Sequence, residues 1–263
     1  MSSLTITLVQ TKLFWEDKQA NLNMLQQKID RMEEKTEIVI LPEMFSTGFS
    51  MNAERLAENM EGETVLWMKR MAAKKKIILT GSVIIAEDQK YYNRLIWMLP
   101  NGEYGTYDKR HLFAYADEDD HYSSGNKKLT ASVKGWKINL QVCYDLRFPV
   151  WTRQPPGKAE DKYDLLINVA NWPKKRSLAW KTLLRARAIE NQCFVTGVNR
   201  VGEDGNKIRY DGGSTIIDPL GEIIFQKNKE EGLYTFTLEK EIVTDTRNRF
   251  PFWRDADFFL IPE

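Results

Sequence analysis

Histidine is scarce in this chain: His111 and His121 are the two among 263 residues. That is too few for most zinc sites, and no HExxH or CxxC spacing is present, so metal catalysis has no support. An excess of charge of one sign is missing too. Lys+Arg number 38 against 37 Asp+Glu, without the basic excess or stripe of a nucleic-acid binder. No polybasic run marks a membrane surface as a partner, and no apolar run approaches the roughly 18–20 residues that cross a bilayer. Neither a P-loop nor a GxGxxG before a helix appears, and Gly212-Gly213 opens a strand, so no cofactor is expected. Cysteine is limited to Cys143 and Cys193, both read as free thiols. The opening MSSLTITLVQ has no basic start, apolar stretch or cleavage site of a signal peptide. A soluble cytoplasmic protein is therefore expected.

Hydrophobic residues make up 42% of the chain, enough for a substantial core. No repeat, low-complexity tract or linker divides it, so residues 1–263 read as one domain. Strand and helix patterns alternate. Residues 4–10, 37–41, 77–86, 92–99, 103–108, 133–143, 164–170, 193–200, 212–218, 221–227 and 231–238 read as strands. Residues 17–34, 63–75 and 177–191 carry apolar residues at helical spacing, with Ser177 as the expected N-cap of the last. Residues 108–130 and 151–163, the latter with Pro155, Pro156 and Gly157, read as irregular. Runs such as IVIL and LLINVA look buried on both faces. The fold class is α/β with a mixed sheet.

Three segments put a reactive residue just past a strand, where ligands gather in α/β proteins. They are ILPEMF with Glu43, YDKRHLF with Lys109 and LQVCYDLRFP with Cys143. Taken singly, each has an ordinary reading: a loop carboxylate, a solvated lysine, a structural thiol. Cys193, in the apolar CFVTGV, reads as structural. Asp117, Glu118, Asp119 and Asp120 form an acidic run that by itself reads as a solvated loop. Arg185 and Arg187 read as helix-surface or structural ion-pair residues.

Together the three motifs, 66 and 34 residues apart, resemble the nitrilase, or carbon–nitrogen hydrolase, superfamily over nearly the whole chain. The resemblance implies an α-β-β-α four-layer sandwich in which two sheets face one another and helices cover each outer side. It implies an amidase without cofactor that forms homodimers or higher homo-oligomers. Cys143 would be the nucleophile, Glu43 the general base and Lys109 the stabiliser of the oxyanion, with the Tyr144 backbone N–H as second donor. An ordinary carboxylate titrates near 4.3, too low for an efficient base at neutral pH, so Glu43 is expected in a buried site. Glu118 matches the superfamily's second glutamate, a substrate positioner and partner of Lys109. Asp145 and Arg147 are expected to pair with each other or to anchor the turn after Cys143.

The strings NWP at 171–173, Arg176-Ser177, RARAIENQ at 185–192 and FPFWRDAD at 250–257 resemble the ω-amidase branch. Its members deamidate ω-amides of α-keto dicarboxylic acids such as 2-oxoglutaramate. A substrate with a remote carboxylate needs a cation in its pocket, and Arg176 is the candidate. Phe45, Phe49, Tyr115 and Trp172 are candidate apolar walls. Nitrilase, aliphatic amidase and N-carbamoyl-amino-acid hydrolase activities keep the same three residues and stay open, as does a non-catalytic binding role.

Overall fold

The computed structural model describes residues 2–154, 157 and 162–261. Among these residues thirteen strands lie in two sheets. The first takes β1 (Ser3–Gln10), β2 (Ile38–Ile40), β3 (Ile78–Glu87), β4 (Lys90–Met98), β5 (Tyr104–Asp108) and β13 (Gly232–Glu239), in the order β13-β1-β2-β3-β4-β5. The second takes β6 (Leu129–Val133), β7 (Trp136–Val142), β8 (Leu165–Ala170), β9 (Phe194–Asn199), β10 (Val201–Glu203) and β11 (Arg209–Ile217), in the order β10-β11-β9-β8-β7-β6. β12 (Ile223–Asn228) also pairs with β11. The β1-β2-β3 and β7-β8-β9 ladders are parallel and the rest antiparallel.

Side-chain alternation explains the layers. Leu4, Ile6 and Leu8 of β1 meet Ile138, Leu140, Ile167 and Phe194 between the sheets. The opposite face of the first sheet, with Val9, Val39 and Leu79, is covered by α1 (Lys18–Asp30) and, after the single turn α2 (Ala53–Leu56), by α3 (Glu63–Lys75). On the far side of the second sheet, Leu166 and Val195 pack against α6 (Ser177–Asn191) through Trp180, Leu184 and Ala188. Short helices α4 (Glu118–His121) and α5 (Pro149–Thr152) sit in the connections, and α7 (Lys240–Arg249) follows β13. The four layers run α-β-β-α. Strands β2 and β8 are buried on both faces because each has a sheet on one side and a helix on the other.

The elements depart from the sequence reading in several places, the single turns α2 and α5 and the short strand β10 among them. The helix expected over 17–34 stops at Asp30, ahead of Glu33 and Glu34, whose charges oppose the negative carbonyl end of a helix. Ser177 is the first residue of α6 rather than its cap, because a 3₁₀ turn, Lys174–Arg176, precedes it. Part of the stretch read as irregular is ordered: it contains α4 and the start of β6, which pairs with β7 through a turn at Lys134 and Gly135 of positive φ. The helix α7 escaped the reading because only Val243, Thr246 and Arg247 of it are buried. Pro155 and Pro156 lie outside the described residues.

Candidate active site

Glu43, Lys109 and Cys143 follow β2, β5 and β7, and the sheets bring all three strand ends together. Lys109 Nζ donates to Glu43 Oε1 at 2.9 Å and to Glu118 Oε2 at 2.8 Å. All three charged side chains are completely buried. Asn93 Nδ2 bridges the carboxylates, 2.8 Å from Glu43 Oε1 and 3.3 Å from Glu118 Oε1. The Asn171 backbone N–H donates to Glu43 Oε2 at 2.8 Å, and Asn171 Nδ2 donates to the Glu43 carbonyl. Glu118 also accepts from the Phe113 N–H at 2.6 Å. The other three acids of its run face solvent, because the single turn of α4 points only Glu118 inward.

Cys143 has a φ of +44°, in the left-handed region that non-glycine residues seldom occupy. The turn throws its half-buried thiol out of β7 to where the Glu43 and Lys109 charges act on it. Two side chains hold this elbow. Asp145 accepts from the Val142 N–H, the His111 N–H and Nδ1, and the Tyr107 hydroxyl. Arg187, buried in α6, donates to the Leu146 carbonyl at 2.6 Å and pairs with Glu190. Asp145 therefore anchors the elbow, and the expected Asp145–Arg147 pair is absent among the described residues.

Arg147 turns instead into a cavity, its guanidinium 5.2 Å from the Trp172 ring. That cavity is lined by Cys143, Lys109, Tyr144, Phe49, Trp172 and Arg176, among others. Arg176 sits 4.8 Å over the Phe113 ring. Two expected wall residues are elsewhere. Phe45 is fully buried beneath the sheet against Trp67, because Met44 adopts a φ of +42° and reverses the chain just before it. Tyr115 lies on a 3₁₀ turn, 86% exposed, and points to solvent.

Residues 5–248 match the carbon-nitrogen hydrolase family profile. The chain belongs to this family. It is 43% identical to the omega-amidase YafV of Yersinia enterocolitica, over 99% of this chain and 100% of that protein. It is 31% identical to the 2-oxoglutaramate amidase of Bacillus subtilis, covering 95% of this chain and 96% of that one. A CN-hydrolase superfamily protein of Xanthomonas campestris, solved with an arsenic adduct in its active site, superposes with a TM-score of 0.96 at 43% identity, each chain covered completely.

Within this hydrolase the site's electrostatics follow from burial. Burial alone would depress the Lys109 pKa, but the charges of Glu118 and Glu43 outweigh it and hold the ammonium above the ordinary lysine range. Burial raises the Glu118 carboxyl more than Lys109 lowers it. Burial, then the Glu43 charge, pushes the Cys143 thiol well up against the pull of Lys109. Four features escaped the sequence reading: Asn93, the bonds of Asn171 to Glu43, Arg147 as a cavity residue, and a wall formed by Asp204, Asn206, Ile208 and Tyr210. Asn93 had one visible signal, a lone amide two residues ahead of the apolar run of β4. Cys193 is buried in the core as a structural thiol, and Arg185 makes an exposed pair with Glu222.

Proposed function

We propose that this hydrolase releases ammonia from the terminal amide of a small ω-amido dicarboxylate such as 2-oxoglutaramate. The observation that carries the reading is one cavity holding Cys143 together with Arg147 and Arg176. Neither guanidinium has a carboxylate partner among the described residues, which leaves both for a substrate carboxylate. The names borne by the similar proteins support the same substrate class.

In this mechanism Cys143 Sγ attacks the amide carbon as its proton passes to Glu43. The oxyanion forms against Lys109 Nζ and the Tyr144 N–H, each such donor worth about 2.7–4 kcal/mol. Glu43 then hands the proton to the departing nitrogen, the C–N bond breaks, and ammonia leaves a thioester on Cys143. Water attacks the thioester with Glu43 again as base, and the acid departs as the thiol regains its proton. Glu118 keeps Lys109 charged and in place, while Trp172 and Phe49 exclude water from the substrate. No step uses a cofactor. Two unpaired cysteines suit a cytoplasmic protein. Exposed Val150, Leu178 and Ile189 suit a homo-oligomer.

The test is ammonia release from 2-oxoglutaramate and succinamate, beside an aliphatic nitrile and an N-carbamoyl amino acid, with wild type and Cys143→Ala. Turnover of the ω-amides that disappears in the variant supports both mechanism and substrate class. Hydrolysis of the nitrile or the carbamoyl compound without either ω-amide would sink the substrate assignment.

A further inference from the structure

One wall of the cavity is a hairpin. β10 pairs antiparallel with β11, Val201 opposite Asp211 and Glu203 opposite Arg209. The turn between them and the start of β11 contribute Asp204, Asn206, Ile208 and Tyr210 to the cavity that holds Cys143. Asp204 ties the turn internally: its Oδ1 accepts from the Asn206 and Ile208 N–H groups at 2.9 and 3.0 Å, and its Oδ2 from the Tyr210 hydroxyl at 2.8 Å. At the tip, a Cβ on Gly205 would stand 2.3 Å from Trp15 Cδ1, so the turn rests flush on that indole.

Beneath the hairpin lies Arg200, completely buried. Among the described residues no carboxylate pairs with it, and its Nη1 has no hydrogen-bond partner. Its Nε donates to the Val201 carbonyl at 3.3 Å, and Nη2 donates to the carbonyls of Leu13 at 3.1 Å and Glu203 at 3.3 Å. Its guanidinium carbon stands 4.7 Å over the Tyr210 ring. Burying a cation without a counter-charge is costly, so an apolar residue of similar size would serve stability at least as well. What the arginine adds is geometry, since it fixes both ends of β10, the ring of Tyr210 and, through that hydroxyl, Asp204.

We propose that the β10–β11 hairpin selects the acyl tail of the substrate and that Arg200 is the positioning residue that fixes it. The proposal rests on the reading of Cys143 and its cavity as the amide-cleaving site. The hairpin supplies none of the residues assigned to the scissile bond, so in this proposal it meets the part of the substrate that differs between amides. Ile208 offers methylene contact and Asn206 a polar edge, so the wall sets how long a tail fits. One methylene in such a pocket is worth about 10–200-fold in kcat/KM.

The experiment compares kcat and KM for succinamate, glutaramate and adipamate in wild type, Ile208→Ala and Arg200→Met, with iodoacetamide alkylation of Cys143 measured alongside. Ile208→Ala is expected to raise kcat/KM for adipamate relative to succinamate about tenfold. Arg200→Met is expected to raise KM for the preferred amide about tenfold, with kcat and alkylation within about threefold of wild type. A merely structural role for Arg200 lowers thermal stability and leaves KM and tail preference unmoved, and that result overturns its assignment. If Arg200→Met does not fold, Ile208→Ala decides, since Ile208 is partly exposed; an unchanged length preference overturns the hairpin's role. Should wild type cleave none of the ω-amides, the substrate reading fails by itself. The same variants are then run on propionamide through hexanamide, where the same shift toward longer tails is expected and its absence overturns the proposal.

Discussion

Glu118 Oε2 lies 2.8 Å from Lys109 Nζ with both side chains wholly shielded from solvent. The pair shares its chamber with a second carboxylate, Glu43. One ammonium thus faces two buried acids and a thiol, and this imbalance drives the titration behaviour of the site.

Glu118 has a folded pKa above the ordinary 4.5. Below that value it is protonated in both folded and unfolded chains. As pH rises past it, the unfolded chain releases its proton first, so stability falls until the folded carboxyl also ionises. Glu118→Gln lacks this loss. Urea unfolding at a series of pH values should show wild-type stability declining relative to Glu118→Gln as pH rises from 4.5. A constant difference would sink the assignment. The variant should also lose about 100-fold in kcat, because Lys109 then has one anchor in place of two.

Glu43→Gln separates the proposed base from the proposed nucleophile. Turnover should fall at least about 100-fold for want of a general base. The thiol responds the other way. Burial and the Glu43 charge both hold Cys143 protonated, so removing the charge brings the thiol pKa down while the part due to burial remains. Iodoacetamide alkylation should therefore move to lower pH in Glu43→Gln even as hydrolysis is lost. Movement to higher pH would show that Glu43 does not act on the thiol as the geometry requires.

The α/β class was legible because strand alternation carries it, whereas the four layers and the grouping of Glu43, Lys109 and Cys143 were legible only through the resemblance that three separated motifs carry; the direct Glu43–Lys109 pair was not foreseen. Glu118 was not legible from its own run of acids; only the resemblance separated it from Asp117, Asp119 and Asp120. Phe45 and Tyr115 were misplaced for a local reason. Spacing along a loop says nothing about a backbone that reverses, as it does at Met44 with a φ of +42°. For Arg147 a pair with Asp145 was one of two expected roles, the other being to anchor the turn after Cys143. The Asp145 carboxylate, however, is already occupied by donors that come chiefly from the Lys109 segment, a relation across 34 and more residues that no local pattern reports.

Gly125 stands where the Lys109 segment passes closest. Its N–H donates to the Lys109 carbonyl at 3.0 Å, and a Cβ there would fall 2.3 Å from the Asp108 carbonyl oxygen. A backbone oxygen cannot swing aside as a side chain does. Gly125→Ala should cost about 1–3 kcal/mol in urea unfolding and lower kcat by displacing Lys109. Gly135→Ala is the control: nothing lies within 4 Å of its Cβ, so only the strain of its positive φ, about 1–2 kcal/mol, remains. Equal losses of both stability and kcat in the two variants would refute the close-approach argument.

Asp145 links the lysine and cysteine segments, and an amide cannot replace its carboxylate there. Oδ1 accepts from the His111 N–H at 3.0 Å, and Oδ2 accepts from the Val142 N–H at 3.1 Å. Whichever way an asparagine is turned, its NH₂ meets one of these backbone N–H groups, donor against donor. Flipping the amide relocates the conflict without removing it. A buried donor left without an acceptor costs about 1–3 kcal/mol, and relief requires the His111 and Val142 backbones to separate. Since Lys109 lies two residues from one and Cys143 is adjacent to the other, Asp145→Asn should move the ammonium relative to the sulfur. An error approaching 1 Å costs about 100-fold in rate. We expect kcat to fall by that order, measured by ammonia release well below the melting temperature, with KM nearly unchanged because Arg147 and Arg176 stay in place. Tyr107→Phe removes one donor and creates no such conflict at the carboxylate, so its loss in kcat should be several-fold smaller. If Asp145→Asn matches Tyr107→Phe in kcat, the carboxylate merely fills space and the link between the two segments lies elsewhere.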